Sequence, residues 1–150
     1  MPTILVIDDQ LDVLRALGAI LRSRLYDVRA ASGGREGLAL FARGGCSAVI
    51  VDIFMPDLDG IGTIRQMHEI NPEVPIIAMT GHPLASSTDD KPDFLQMAVA
   101  LGAFAALRKP FMPDKLMRTL EAAIYEGQRE SRSPAASSTG AALSNAVRSL

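Results

Sequence analysis

Apolar residues in this chain gather into short runs separated by stripes at helical spacing. Four runs read as strands, Thr3–Ile7, Ala48–Val51, Val74–Met79 and Phe104–Leu107, and Val28–Ala31 is a weaker fifth. The runs starting at Thr3, Ala48 and Val74 are continuous rather than alternating, as expected for strands covered on both faces of a parallel sheet. The two weaker runs suit edge positions. Between the runs, Leu14, Leu17, Leu21 and Leu25 recur on one helical face. Leu38 with Phe41 follows, then Ile61, Ile64 and Met67, and finally Leu116, Leu120, Ala123 and Ile124. Pro113 and Asp114 suit the first turn of the last helix, where a missing N–H costs nothing and an acid complements the dipole.

Strands alternating with helices in this way predict a doubly wound α/β fold of the flavodoxin-like kind. It has five parallel strands in the order 2-1-3-4-5, five helices and right-handed crossovers. In such a sheet, ligands bind beyond the carboxyl ends of the strands, at the switch point between the first and third. The ordered domain is expected over residues 1–127. Residues 128–150 are rich in Ser, Ala and Arg, with Pro134 and Gly140, and read as a mostly disordered tail. Within it, Ala142, Leu143, Ala146, Val147 and Leu150 repeat at helical spacing, so a short docked helix is the alternative.

Composition narrows the class. The chain is 48% apolar and 21% charged, which is globular rather than disordered. Its net charge of −2 offers no basic field for nucleic acid. Cys46 is the sole cysteine and has no disulfide partner, and no Cys/His spacing suggests zinc. The N-terminus has no basic region before its short apolar run, and no stretch approaches membrane-spanning length. A cytoplasmic protein is expected, a monomer or weak homodimer, binding neither nucleic acid nor membrane directly.

The chemistry sits at the strand ends. Asp8-Asp9, Asp52, Thr80 and Lys109-Pro110 each fall just past a run, so a parallel sheet would bring them to one edge. Crowded carboxylates repel one another, and a hard cation relieves that repulsion. Oxygen-only ligands at an open site favour Mg²⁺ or Mn²⁺, which share phosphate oxygens. Acids after strands also serve as turn formers and N-caps, and that reading stays open for the doublet by itself.

These pieces resemble the receiver domains of two-component response regulators. The likeness runs through Ile4-Leu5-Val6-Ile7-Asp8-Asp9 and Val49-Ile50-Val51-Asp52-Ile53-Phe54-Met55-Pro56-Asp57-Leu58-Asp59-Gly60. It continues in Ile76-Ile77-Ala78-Met79-Thr80-Gly81, then from Leu101-Gly102-Ala103 to Leu107-Arg108-Lys109-Pro110-Phe111, covering roughly Thr3 to Glu126. The resemblance implies that Asp52 accepts a phosphoryl group from a sensor histidine kinase or histidine phosphotransfer protein. It implies Mg²⁺ held by Asp9, Asp52 and the Phe54 backbone carbonyl, with Asp8 acting through water. Thr80 and Lys109 would contact the phosphoryl oxygens, Pro110 would follow a cis peptide, and Gly60 would shape the acceptor loop. His82 would border the path of attacking water. A non-enzymatic, stand-alone regulator is expected, signalling to a downstream protein through altered contacts.

The chain departs from the family pattern in two places. The usual aromatic three residues before the lysine is Ala106 here. Phe104, two residues earlier, is expected to share the face of Ala106 by strand alternation. The segment Gly81–Phe94 also lengthens the Thr80-to-Lys109 interval, and a loop of that kind beside a site is a candidate responsive element. Two other readings compete. Asp57-Leu58-Asp59-Gly60 looks like the nucleophile motif of haloacid dehalogenase-type phosphatases, although Met55-Pro56 separates it from the strand. A non-phosphorylated scaffold receiver is the other, against which the complete Asp/Asp/Thr/Lys set argues.

Overall fold

A computed structural model describes residues 1–81 and 94–132. Within them lie five strands, β1 (Thr3–Ile7), β2 (Asp27–Ala31), β3 (Ala48–Asp52), β4 (Ile76–Thr80) and β5 (Ala105–Arg108). They alternate with α1 (Leu11–Ser23), α2 (Gly34–Ala42), α3 (Gly60–Ile70), α4 (Phe94–Ala100) and α5 (Pro113–Arg132). All strand pairs are parallel, in the order β2-β1-β3-β4-β5, which puts the two weak runs at the edges as expected.

Alternation along the central strands divides the core in two. Ile4, Val6, Ile50, Ile77 and Met79 face α1 and α5, where they meet Leu14, Leu17, Leu21, Leu116 and Leu120. Leu5, Ile7, Val49, Val51 and Ile76 face the other way, against Phe41, Ile64, Met67 and Ala98. Because both faces are covered, the strands read as unbroken apolar runs. No helix among the described residues is long and apolar enough to cross a membrane.

Several expected placements shift. β4 starts at Ile76 rather than Val74, because Pro75 has no N–H for the ladder and Val74 closes a turn on Asn71 (3.5 Å). Leu25 does not extend the α1 stripe. It lies beyond the helix at φ 67°, 73% exposed. The N–H groups of Leu25 and Tyr26 donate back to the carbonyls of Arg22 (3.0 Å) and Leu21 (3.1 Å), the Schellman arrangement that ends a helix. Phe104 does not share a face with Ala106 either. It precedes β5 and packs on the α1/α5 cluster, whereas Ala106 packs on the opposite one. Strand alternation begins only at Ala105. The last helix continues to Arg132, past the boundary expected at residue 127. His82, most of the Gly81–Phe94 segment and the Ala142–Leu150 repeat lie outside the described residues.

Candidate functional site

Strand register assembles the pocket. Ile7 pairs with Val51, so Asp8 and Asp52, the next residues on adjacent strands, come level at the carboxyl edge. Asp52 is itself the last residue of β3, and Thr80 the last of β4. The Lys109 N–H donates to the Thr80 carbonyl at 2.7 Å, which brings the end of β5 alongside. The Lys109–Pro110 peptide is cis. By the alternation of their strands, Asp52 follows Ile50 toward the α1/α5 side and Thr80 follows Ala78 toward the α3/α4 side.

Asp8 is fully buried, and its carboxylate accepts from two directions. The Lys109 ammonium donates to Oδ2 at 2.7 Å, and the Gln10 N–H donates to Oδ1 at 2.9 Å. Asp52 is 6% exposed; its Oδ2 lies 3.4 Å from the same ammonium, and its Oδ1 accepts from the Phe54 N–H at 3.2 Å. Lys109 therefore bridges two carboxylates on different strands. Burial pushes the Asp52 carboxyl above its ordinary range; the Lys109 charge opposes this, the Asp8 charge adds to it, and the Phe54 N–H opposes it. Asp9 is exposed and stands beside the pair. Ligand oxygens of Asp8, Asp9 and Asp52 all lie within 4.8 Å of one another. Such an all-oxygen set suits a hard divalent cation.

The loop after Asp52 is tightly held. The Ile53 N–H donates to the Met79 carbonyl (2.9 Å), and the Gly60 N–H returns to the Ile53 carbonyl (2.7 Å). A Cβ on Gly60 would run into the Asp52 carbonyl oxygen and the Ile53 Cα, so only glycine lets α3 start this close to β3.

Asp57 and Asp59 are occupied as helix caps. Asp59 accepts from the Gly62 N–H at 2.7 Å, capping α3. Asp57 accepts from the Gly34 N–H (3.2 Å) and the Arg35 N–H (3.3 Å) at the start of α2. N–H groups from Leu58, then Arg35 and Gly34, hold the Asp57 carboxyl below the usual carboxylate range. Neither acid ends a strand, which the phosphatase motif requires. The capping role of Asp57 escaped sequence reading; its only signal is a helix opening on Gly33-Gly34, with no side chain of its own to cap it.

Comparison with known proteins places this geometry in context. A family model described as the response regulator receiver domain matches residues 4–121. The transcriptional regulatory protein ZraR of Escherichia coli (strain K12) is 34% identical over 121 residues, covering 81% of this chain and 26% of ZraR. The C4-dicarboxylate transport transcriptional regulatory protein DctD of Rhizobium meliloti (strain 1021) is 30% identical over 148 residues, 95% of this chain and 31% of DctD. The chain thus spans about a quarter to a third of the length of these relatives. A crystal structure of a response regulator receiver domain protein from Clostridium thermocellum superposes with a TM-score of 0.77 at 32% identity, covering 85% of this chain and 98% of that one.

Proposed function

The chain belongs to the response regulator receiver domain family, and from that premise we propose that it accepts a phosphoryl group on Asp52. The donor is the phosphohistidine of a sensor histidine kinase or a histidine phosphotransfer protein. The observation that carries this reading is the Lys109 ammonium bridging Asp8 and Asp52, with Asp9 beside them, at the carboxyl edge of the sheet.

An Asp52 carboxylate oxygen attacks phosphorus as the bond to the donor imidazole nitrogen breaks, leaving an aspartyl phosphate and a neutral imidazole once a proton returns to the ring. The Phe54 N–H and Lys109 fix the carboxylate rotamer from either side, so little reorientation precedes attack. Lys109 then follows the new charge onto a phosphoryl oxygen, and the Thr80 hydroxyl donates to another, a charge-assisted bond stronger than a neutral one. Asp9, Asp52 and the Phe54 carbonyl would hold Mg²⁺ (or Mn²⁺), with Asp8 supporting through water. The cation's contribution is to neutralise charge on the equatorial oxygens. The three clustered carboxylates fit that role by donor chemistry. The outcome is a change in the contacts this domain makes with a downstream protein.

Labelling with acetyl phosphate or a phosphorylated kinase tests the reading. Asp52→Asn should remove Mg²⁺-dependent label, while Asp57→Asn should keep it. Label that survives Asp52→Asn and disappears in Asp57→Asn would instead favour the phosphatase motif.

A further inference from the structure

The proposed reaction makes no use of Asp57, yet its carboxylate makes a contact that α3 does not need. α2 opens on Gly33, which has no side chain to offer the first free N–H groups of the helix. Those of Gly34 and Arg35 go to Asp57 instead, from a loop 23 and 22 residues further along the chain. Two glycines make the approach feasible. A Cβ on Gly33 would lie 2.8 Å from Asp57 Oδ2, and one on Gly34 would lie 2.6 Å from the Leu58 carbonyl oxygen. The positive end of the α2 dipole adds to the attraction.

This is the loop that leaves Asp52. Its near end is fixed at Ile53 by the Met79 carbonyl and the Gly60 N–H. Only Phe54, Met55 and Pro56 separate that anchor from Asp57. Met55 is buried, and Pro56 has a fixed φ, so the bridge has little slack. Phe54 is its first residue, holding Asp52 Oδ1 through its N–H.

We infer that Asp57 is a positioning residue, pinning the β3–α3 loop to the start of α2 and so setting the direction of the Phe54 carbonyl and the Asp52 carboxylate toward a divalent cation. This rests on the reading of the site given above. Asp57 touches neither cation nor phosphoryl group and acts only through the loop.

The experiment compares wild type with Asp57→Ala, Asp57→Asn, Ser32→Ala and Asp52→Asn. Mg²⁺ affinity is measured by calorimetry, and amide exchange is followed in metal-free protein. Ser32 is the control, because its N–H and hydroxyl both meet Glu36 Oε2 at 3.0 Å at the same helix start without touching the loop. Asp57→Ala should weaken Mg²⁺ binding at least about fivefold and speed exchange at Phe54 and Gly34, by loss of the shared anchor. Asp57→Asn should fall between, since one amide oxygen can still accept from α2. Ser32→Ala should stay within about twofold of wild type, because it leaves that anchor intact. An Asp57→Ala protein that binds Mg²⁺ like wild type, while Asp52→Asn does not, overturns this inference and leaves the reading of the site standing. Equal weakening in Ser32→Ala also overturns it, reducing Asp57 to a stabiliser of α2. A wild type that binds no Mg²⁺ removes both.

Discussion

Replacing Lys109 with methionine isolates the electrostatics of the pocket. The ammonium lies 2.7 Å from Asp8 Oδ2 and 3.4 Å from Asp52 Oδ2, and the three side chains are 18%, 0% and 8% exposed. At an effective dielectric of about 20, those separations correspond to gross attractions of about 6 and about 5 kcal/mol. Most of that is offset by the cost of taking three charges out of water. Removing only the cation leaves that cost uncompensated on the two carboxylates, and breaking a buried pair in this way costs about 3 kcal/mol. For a domain of this size the loss corresponds to a fall in Tm of about 10 °C. Urea unfolding followed by circular dichroism, in metal-free buffer near neutral pH, measures it. Two further signs follow from the same argument. Mg²⁺ should restore more stability to Lys109→Met than it adds to wild type, because in wild type the cation shares its carboxylates with the ammonium. The Asp52 carboxyl is already raised by burial, and losing Lys109 raises it further. A carboxyl with a raised folded pKa destabilises above that pKa, and the penalty disappears as pH falls through it. The deficit should therefore shrink on acidification from neutrality toward the ordinary carboxylate range. A variant as stable as wild type without metal, or an equal Mg²⁺ benefit in both proteins, would refute the bridge as the organising charge of the site.

Other substitutions test the surrounding scaffold. Gly60→Ala drives a Cβ into the backbone of Asp52 and Ile53; it should cost about 2–3 kcal/mol in chemical denaturation and slow labelling at Asp52, and normal values for both would contradict the close approach. Leu25→Gly should raise stability by about 0.5–1 kcal/mol, since the exposed leucine gives up a left-handed φ and almost no packing; an unchanged or lower Tm argues otherwise. Asp59→Ala removes the α3 N-cap and should cost about 1 kcal/mol while the protein still takes label; loss of labelling in a folded variant would assign Asp59 a chemical role.

Much of the sheet is legible in the sequence because strands covered on both faces cannot disguise themselves. Ile4 to Ile7 are all apolar, since neither face meets water. Misplacements occur where one residue suspends a periodicity. Pro75 delays β4, the turn before Ala105 rotates Phe104 to the other face, and the left-handed Leu25 ends a stripe that its identity would extend. The acids and lysine of the pocket stand out because the fold rule places chemistry at strand ends. What sequence does not display is that Lys109 joins Asp8 to Asp52, for that depends on register and on distances of a few ångströms. The tie from Asp57 to α2 is hidden for a related reason. Its partners are backbone N–H groups of Gly34 and Arg35, and a backbone donor leaves no letter in the sequence.

The ion pair between Asp8 and Lys109 spans 101 positions of chain. During synthesis, the aspartates at the ends of β1 and β3 emerge well before Lys109, the one side chain among the described residues that pairs with them in the pocket. A nascent chain halted before β5 carries Asp52 but not Lys109 to pair with it, and its central carboxylates favour water over burial. Competence to take label should therefore appear late and abruptly, when the last strand docks. On the proposal that Asp52 is the acceptor, labelling then doubles as a report that translation has passed residue 109 and that the sheet has closed through β5.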